Sequence, residues 1–423
     1  MKNCITVNSV IIKENSIVVR YTVSKSIEKF FRSNEFVVEY SLSVEQVPIA
    51  IAIIPFVCNL LPFIWIKDCE LILPAIDQTF YRQIDVIKES YQKMYPMLHF
   101  QGLVKANEIH NISYNAQKSL CFFSGGVDAF STLLHHISEK PVLFTIWGAD
   151  IKYSDEQSWN IVKKQNEATA ELFSLDFFYC KTNFREFYNN DLFNVLVVDS
   201  NDDWWHGFQH GMGLIGHAAP LSFAYGIKNL YVASSYAVEN YKCASDPTID
   251  NNVIWSNTKT YHDQYMYTRQ DKVHDICAYA RNENKYPYLR VCWQSHSASN
   301  CGYCEKCMRT VYGLIAEGEN PNYYGFHIDP NLLKEKIIEL IKSYRFPVHN
   351  ISYWVEIQDR FKKNKSIIGK EYLDAILWID SIDFAYFCTR KYALLRRLHQ
   401  LPYLVTHLGY FISLLKNRIF NKK

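Results

Sequence analysis

A chain of 423 residues exceeds the size at which one hydrophobic core usually suffices, so two or three domains are expected. Charged residues make up 21% of the chain and the formal net charge is only +2, which excludes the electrostatic footprint of a dedicated nucleic-acid binder. Aromatic residues reach 15%, which excludes a disordered protein and indicates well-filled globular domains.

The cysteine content bears on the redox compartment. The 12 cysteines would indicate a disulfide framework in a short secreted chain, but this chain is long and its first residues contain no signal-peptide hydrophobic region. We therefore expect a reducing, cytoplasmic environment. Eight of the cysteines are scattered, mostly among apolar residues, whereas the other four are clustered.

The N-terminal part begins with three strand-like runs, ITVNSVII, SIVVRYTV and EFVVEYSLS. The apolar run over residues 47–66 is long enough to cross a bilayer, but Pro48, Pro55 and Pro62 each remove a backbone donor. This pattern favours a buried strand–turn–helix segment over a membrane span. A helix is predicted over residues 81–95, and together these elements predict a small α+β domain over residues 1–112.

From Lys118 onward, short β-rich runs alternate with helix-length segments. The runs are SLCFF, PVLFTIW, LDFFYCKT and NLYVASS, and the helical segments cover residues 155–173 and 206–225. This alternation is typical of βαβ units, so we predict a doubly wound α/β domain with a parallel sheet over residues 113–320. Helical character at 308–317, 331–344 and 371–395, and an amphipathic run over 403–420, predict a helical C-terminal region over residues 321–423.

A phosphate-binding loop is predicted directly after the apolar run LCFF, at Ser124, Gly125, Gly126, Val127 and Asp128. Two glycines let backbone N–H groups approach an anion, and the N-terminus of the following helix adds partial positive charge. The Ser124 hydroxyl can donate to a phosphate oxygen, and Asp128 can help to hold the Mg²⁺ of a triphosphate. An ordinary strand-to-helix turn would use the same glycines. The position after the first strand of an α/β domain favours phosphate binding.

The SGGVD sequence resembles the SGGxDS motif of the N-type ATP pyrophosphatases, the PP-loop superfamily that includes asparagine synthetase, GMP synthetase and tRNA-thiolating enzymes. The resemblance implies an adenine nucleotide alpha hydrolase-like fold that binds ATP, transfers AMP to an acceptor oxygen and releases pyrophosphate. The last serine of the motif is Ala129 here, and the sequence leaves open whether Ser131 or Thr132 supplies the missing hydroxyl. The resemblance also implies adenine contacts at Ile146, where the nearby Gly148 would allow close approach.

Four cysteines form the pattern C-x8-C-x2-C-x2-C at Cys292, Cys301, Cys304 and Cys307. Each C-x2-C turn can place two sulfurs on one ion, so the spacing indicates a tetrahedral Zn²⁺ site. An iron–sulfur cluster also uses four cysteines and stays open as an alternative. Because four thiolates would fill the coordination shell, the metal is expected to be structural, with His296 as a spare candidate ligand.

The loop and the cysteine pattern together resemble 7-cyano-7-deazaguanine synthase over residues 118–315. The resemblance implies an enzyme that adenylates a carboxylate, which ammonia then converts through an amide to a nitrile. The segments before the loop and after the cysteines have no counterpart in the minimal enzyme, and the substrate-recognition segment of that family is not found.

Four more charged residues are candidates for the site. Loops at the carboxyl ends of parallel strands bind ligands in α/β proteins, so Asp246 and Asp250 are candidate metal or substrate contacts. The resemblance implies a basic residue that neutralises the pyrophosphate leaving group, for which Arg269 and Lys272 are the candidates. Each of the four could equally be a solvated surface charge.

The segment over residues 202–211, DDWWHGFQHG, is dense in aromatic residues and histidines. It could form an acceptor pocket, but aromatic packing at the start of a helix explains it as well. A second metal site at His206 and His210 is a further alternative.

We therefore predict an ATP-dependent adenylating enzyme with Asp128, Lys272 and Arg269 as catalytic residues. A bound carboxylate or similar oxygen attacks the α-phosphorus, and an amine or ammonia then displaces AMP. Two alternatives stay open: a sugar amidotransferase-like enzyme of surface-polysaccharide synthesis, and a zinc-stabilised nucleotide-binding protein without catalysis. The expected cofactors are ATP, Mg²⁺ and Zn²⁺, the acceptor is a small molecule or a protein, and a homodimer is compatible with the sequence.

Overall fold

A computed structural model describes residues 3–235, 242–292, 298–342 and 350–406, with the backbone alone for residues 400–406. Contacts divide these residues into two compact units. The sheet unit comprises residues 3–123, 135–234 and 242–265, and the helical unit comprises the remaining described residues. The three-domain division drawn from the sequence stays a prediction.

All the strands belong to the sheet unit and form one ten-stranded sheet. They are β1 Asn3–Lys13, β2 Ser16–Val23, β3 Glu35–Tyr40, β4 Cys69–Asp77, β5 Leu103–His110, β6 Lys118–Phe122, β7 Val142–Trp147, β8 Phe177–Thr182, β9 Ile227–Ala233 and β10 Lys259–Asp263.

The strand order is β10-β9-β6-β7-β8-β3-β2-β1-β4-β5. Strands β10 to β8 in this order pair in parallel, as do β1, β4 and β5, whereas β8, β3, β2 and β1 pair antiparallel. The fold is therefore α/β with a large, mostly parallel sheet. The predicted strands at both the N-terminal part and the α/β part are confirmed, and β3 joins β8 so that both sets form one sheet.

The helices of the sheet unit are α1 Ile49–Ala52, α2 Ile54–Ile66, α3 Gln78–Met94, α5 Glu156–Phe173, α6 Asn190–Leu196, α7 Met212–Ile215, α8 Ala218–Tyr225 and α9 Pro247–Asp250. Helix α4, Val127–His135, belongs to the helical unit as far as Leu134. The other helices of that unit are α10 Arg269–Glu283, α11 Glu305–Ala316, α12 Leu333–Lys342, α13 Ile351–Asn364, α14 Leu373–Asp380 and α15 Arg390–Thr406.

The apolar run over residues 47–66 forms the centre of the sheet unit's core. It contains α1 and α2 rather than the predicted strand–turn–helix, and α2 is buried on all sides except at its last residue, Ile66. Pro55 lies in the first turn of α2, where no backbone donor is needed, and Pro62 lies within the helix. Within the described part of the chain, no helix is both long and apolar enough to cross a membrane.

The helix predicted over residues 206–225 is interrupted. A π-helical turn covers Trp205–Gln209, and α7 and α8 follow as separate short helices. Gly211 precedes α7 with φ of +78°, a left-handed conformation that cannot continue an α-helix. The helical character predicted for the C-terminal region is confirmed in the described residues: α11 and α12 lie at the first two predicted segments, and the segment over 371–395 contains α14, a short 3₁₀ segment and the start of α15. Most of the amphipathic run over 403–420 lies outside the described residues.

Candidate functional site

Strand β6 is the strand at which the chain order in the sheet reverses. The chain continues from β6 to β7 and β8 on one side, and later places β9 and β10 on the other. Ligands of open α/β sheets commonly bind beyond the carboxyl ends of the strands at such a switch point. The segment that begins at Ser124 is the direct continuation of β6, so the predicted loop occupies the expected place in the chain.

The Ser124–Asp128 loop has the backbone geometry of a tight turn into a helix. Gly125 has φ of +77°, a conformation that only glycine adopts without strain. The Gly126 N–H lies 3.3 Å from Ser124 Oγ, and the Gly126 carbonyl accepts the first bond of α4 from Phe130 at 3.0 Å. The loop therefore leads into the N-terminus of α4, and backbone N–H groups and the helix dipole stabilise an anion at such a position.

Arg290, which no sequence motif indicates, is distant from this loop in sequence but holds it by hydrogen bonds. Its backbone N–H donates to Gly125 O at 2.7 Å, and its guanidinium donates to Ser124 O at 2.6 Å and 3.1 Å. Arg290 lies only two residues before Cys292, so the segment that binds the loop leads directly into the four-cysteine group. The contact spans 166 positions, and no local sequence signal indicates it.

Asp128, in the first turn of α4, is bound by both predicted basic residues. Arg269 Nη2 lies 2.9 Å from its Oδ2, and Lys272 Nζ lies 3.3 Å from its Oδ1. Burial opposes ionisation of this carboxyl, but the charges of Arg269, Lys272 and Lys306 outweigh it and lower the pKa of Asp128. The Lys272 side chain is only 2% exposed and that of Arg269 12%, so neither is a solvated surface charge.

Both basic residues lie in the first turn of α10, which a complete capping box starts. The Thr268 hydroxyl accepts from the Asp271 N–H at 3.1 Å, and the Asp271 carboxylate accepts from the Thr268 N–H at 3.2 Å. The capping box fixes where α10 begins, and so fixes the position of Arg269 and Lys272.

The residues that follow the loop are enclosed within α4. Ala129 is 4% exposed, and Ser131 and Thr132 are 1% and 0% exposed. The hydroxyls of Ser131 and Thr132 have no hydrogen-bond partner among the described residues. A role for Ser131 in binding phosphate stays a prediction.

Ile146 lies in β7 of the sheet unit and is 8% exposed. Gly148, just beyond this strand, has φ of +118°, and a Cβ at this position would lie 2.1 Å from Thr182 O. The sequence predicts that Gly148 allows the adenine to approach the backbone closely. The structure shows that the group approaching is the backbone of Thr182, and adenine binding at Ile146 stays a prediction.

The four clustered cysteines converge in the helical unit. Cys292 Sγ lies 3.9 Å from Cys304 Sγ, Cys301 Sγ lies 3.8 Å from Cys307 Sγ, and all four sulfurs lie within 4.8 Å of one another. A Zn–S distance of about 2.3 Å in a tetrahedral site places sulfurs about 3.8 Å apart. The group could therefore hold a metal such as zinc, and the Cys292–Cys304 and Cys301–Cys307 sulfur separations match that geometry.

Local structure positions these sulfurs. Gly302 has φ of +79° in the turn between Cys301 and Cys304, and the Cys304 N–H donates to Cys301 Sγ at 3.3 Å. The Asn300 side chain accepts from the N–H groups of residues 291 and 292 and donates to Leu289 O at 2.7 Å. Hydrogen bonding from Cys307 lowers the pKa of Cys304 to about 5, whereas the Cys304 sulfur raises that of Cys307. A bound cation would favour the thiolate form of both cysteines, so that neither would raise the pKa of the other.

The remaining candidates have structural contacts. Asp246 caps α9 by accepting from the Thr248 N–H at 2.8 Å, and Asp250 is fully buried, accepting from Ser245 Oγ at 2.7 Å. Both lie in the sheet unit, and their predicted substrate role is untested. In the segment over 202–211, Trp204 stacks on Phe208 with ring centroids 5.8 Å apart, which is the aromatic packing considered above. His296 lies outside the described residues.

Fold and site together define an α/β protein with a mostly parallel sheet, a glycine-containing loop at the switch strand and a four-cysteine group able to hold a metal. No family model, curated protein or solved structure matches the chain. Its function is therefore inferred from the residues themselves.

Proposed function

We propose that the protein is an ATP-dependent adenylating enzyme of the PP-loop type, similar to 7-cyano-7-deazaguanine synthase. ATP and Mg²⁺ would bind at the loop formed by Ser124, Gly125, Gly126 and Asp128, and Zn²⁺ at the four cysteines. The acceptor would be a carboxylate or a similar oxygen, activated for attack by ammonia or an amine.

The observation that carries this proposal is the pair of cations held at Asp128, of which Lys272 is buried and Arg269 is largely enclosed. Arg269 and Lys272 are held beside the first turn of α4 within 3.3 Å of one carboxylate. Arg269 and Lys272 place two cationic groups beside a helix N-terminus, where an anion is stabilised. A polyphosphate is an anion of that kind.

The chemistry follows from this arrangement. The acceptor oxygen attacks the α-phosphorus, a P–O bond forms, and the bond to the pyrophosphate group breaks. In this proposal, Lys272 and Arg269 would stabilise negative charge on the departing pyrophosphate, and backbone N–H groups at Gly125 and Gly126 would hold the phosphates. Positioning and charge stabilisation of this kind supply most of the catalysis in phosphoryl and nucleotidyl transfer.

The test is pyrophosphate release from ATP and Mg²⁺ by the zinc-containing protein, across a panel of carboxylate and amine acceptors. We expect acceptor-dependent release that falls about 100-fold or more in Lys272→Met, as when one charge-stabilising donor is removed. Lys336→Met, which removes an exposed lysine paired with Glu339 on α12, is the matched control and should keep full activity.

A second candidate function, a zinc-stabilised nucleotide-binding protein without catalysis, is favoured by one observation. Each carboxylate oxygen of Asp128 already has a cationic partner, so Mg²⁺ would have to displace Arg269 or Lys272 to bind there. ATP binding that is unaffected by Mg²⁺, with no pyrophosphate released with any acceptor, would support this function. Absence of ATP binding would contradict both.

A further inference from the structure

A second group of reactive side chains lies within the sheet unit, separate from the residues used above. Asp202 and His206 flank the start of the π-helical turn, His210 follows that turn, and Cys243 lies before α9. The sequence offers His206 and His210 as alternative metal ligands, and no local pattern connects Cys243 with them. Among the described residues, this set is not one of the groups whose metal-ligating atoms lie within 4.8 Å of one another.

Asp202 fixes the orientation of His206. The imidazole Nδ1 lies 2.8 Å from Asp202 Oδ1, and the other carboxylate oxygen accepts from the Tyr95 hydroxyl at 2.8 Å. The Asp203 N–H also donates to Asp202 Oδ1 at 2.9 Å. With Nδ1 turned to the carboxylate, Nε2 of His206 is the nitrogen left for its hydrogen bond with Cys243.

Cys243 is surrounded by groups that favour its thiolate. Its sulfur lies 3.7 Å from His210 Nδ1 and 3.4 Å from the Ser245 N–H, and it is hydrogen-bonded to His206. The Ala244 N–H donates to His206 O at 2.8 Å, so the two segments are also held together by backbone. Burial opposes ionisation, but the two histidines outweigh it and lower the pKa of Cys243 to about 6. Asp202 and Cys243 together raise the pKa of His206 to about 10.

The cluster is partly open to solvent. Cys243 is 7% exposed, and the His206 side chain is 31% exposed. Further charge comes from Asp250, which is fully buried, and from Asp150; both favour the charged form of His210. Tyr91 and Tyr95 also face the sulfur, and burial raises the pKa of each, so they stay neutral near pH 7.

We propose that Cys243 is the nucleophile of a second reactive centre, with His206 as its acid–base partner and Asp202 as the positioning residue, and that its substrates are acyl compounds. A nucleophile, a histidine and a carboxylate that orients the histidine are the three parts of nucleophilic acyl transfer. The partners of the sulfur are two imidazoles and a backbone N–H, and an imidazolium beside the sulfur can protonate a leaving group.

The reaction balances within the cluster. The thiolate attacks the carbonyl carbon, a C–S bond forms, and the bond from that carbon to the leaving group breaks. The leaving group takes the proton from His206 Nε2. Water then gives a proton back to His206 and its hydroxyl to the acyl carbon, which releases the carboxylic acid and restores the thiolate–imidazolium pair.

The first test measures alkylation of the intact protein by iodoacetamide from pH 5 to 9, with the labelled site identified by peptide mass spectrometry. We expect the rate at Cys243 to have its midpoint near pH 6 and to change less than about twofold between pH 7 and 9, whereas a model peptide thiol with a pKa of about 8.5 gains about 25-fold. A Cys243 rate that rises with the model peptide, or no labelling of Cys243, would overturn the proposal.

The second test separates His206 and Asp202 from a merely structural role. His206→Gln should move the midpoint of the alkylation profile upward and slow labelling at pH 6.5 on the order of fivefold to tenfold. Asp202→Asn should move the midpoint in the same direction by a smaller amount. His110→Gln, which removes an exposed histidine paired with Glu108, is the matched control and should leave the profile unchanged. An unchanged profile in His206→Gln would count against the assignment.

The third test addresses the acyl substrate. With p-nitrophenyl acetate as the probe, we expect a burst of p-nitrophenolate and an acetyl group on Cys243 in the intact-protein mass spectrum. Cys243→Ala should abolish both, while Cys388→Ser, at an exposed cysteine, should abolish neither. A nucleophilic thiolate that alkylates as expected but forms no acyl adduct would refute the acyl substrate class.

Discussion

At the scale of single residues, burial decides which charges and conformations this protein tolerates. Lys272 and Asp128 are enclosed together, so each needs the other, and Arg269 adds a second cation. His217 differs, because it is fully buried and has no acidic partner among the residues that the structure describes. Its Nδ1 donates to Gly213 O at 2.7 Å and its Nε2 accepts from Thr182 Oγ1 at 3.2 Å, which fits the neutral ring.

His217 should make the sheet unit less stable in acid. Burial lowers the pKa of His217 to about 4 in the folded chain, against an unfolded value of about 6.5. Its stabilising contribution is complete above pH 6.5 and is lost as the pH falls towards 4, because only the unfolded chain readily binds the proton. Between pH 7 and pH 5, the unfolding free energy of His217→Gln should therefore fall by about 2 kcal/mol less than that of the parent chain.

The measurement is the unfolding free energy of His217→Gln and of the parent chain, from urea titrations followed by tryptophan fluorescence at each pH. His110→Gln, at an exposed histidine, should keep the parent pH dependence. Identical pH dependence in all three proteins would show that His217 does not contribute.

Gly148→Ala should destabilise the sheet unit strongly. The added Cβ would lie 2.1 Å from Thr182 O, and φ of +118° is not open to alanine, so we expect a loss of about 3 kcal/mol or more. Gly126→Ala is the matched comparison, because its Cβ would meet Ser124 Oγ only at 3.4 Å. Thermal melts of the two variants should therefore differ, and equal melting temperatures would contradict the backbone geometry described.

At the scale of elements, helix ends position the chemistry. The N-terminus of α4 follows the glycine loop, and the N-terminus of α10 carries Arg269 and Lys272. The capping box at Thr268 determines which residue begins α10, and the pair is thereby fixed in the first turn of the helix. The helix boundary sets where the two cations lie along α10, and their long-range contact with Asp128 sets what they bind.

Thr268→Ala should therefore affect both stability and nucleotide binding. Loss of an N-cap costs about 1 kcal/mol, and fraying of the first turn of α10 would loosen Arg269 and Lys272 around Asp128. Asp155→Ala is the matched variant, because Asp155 caps α5 by accepting from the Ser158 N–H at 3.0 Å. Both should lose similar stability in denaturant titrations, but only Thr268→Ala should weaken ATP binding in calorimetry. If both variants affect ATP binding equally, the cap at Thr268 has no specific role in positioning the ATP site.

At the scale of the whole molecule, a metal held by the four cysteines would stabilise the helical unit that contains them. Cys304 is the N-cap of α11 and Cys307 lies in its first turn, while Cys292 follows the Arg290 segment that holds the loop. A metal bound by all four sulfurs would therefore anchor α11 and the loop to one point.

Removal of the metal should lower the stability of the helical unit. We expect one zinc ion per chain by elemental analysis, and a loss on the order of several kcal/mol after treatment with a chelator at neutral pH. Cys304→Ser should lower the zinc content, and Cys388→Ser, at an exposed cysteine, should not. If the protein instead contains iron and has a visible absorption band, the site holds an iron–sulfur cluster rather than zinc. If the metal-free chain keeps its full stability, the metal is not structural.

The sequence by itself determined seven of the ten strands, most of the helices, the glycine loop and the four-cysteine group, because these depend on periodicity and spacing within short segments. It did not predict β4, β5 or β10. It did not determine that α1 and α2 are helices buried on nearly all sides, because a continuous apolar run lacks a period. Only the tertiary structure placed Lys272 on Asp128 across 144 positions and the Arg290 guanidinium on the loop. The Cys243 cluster was likewise decided by folding. Contacts of this range follow from the packing of the whole chain, which no local pattern encodes.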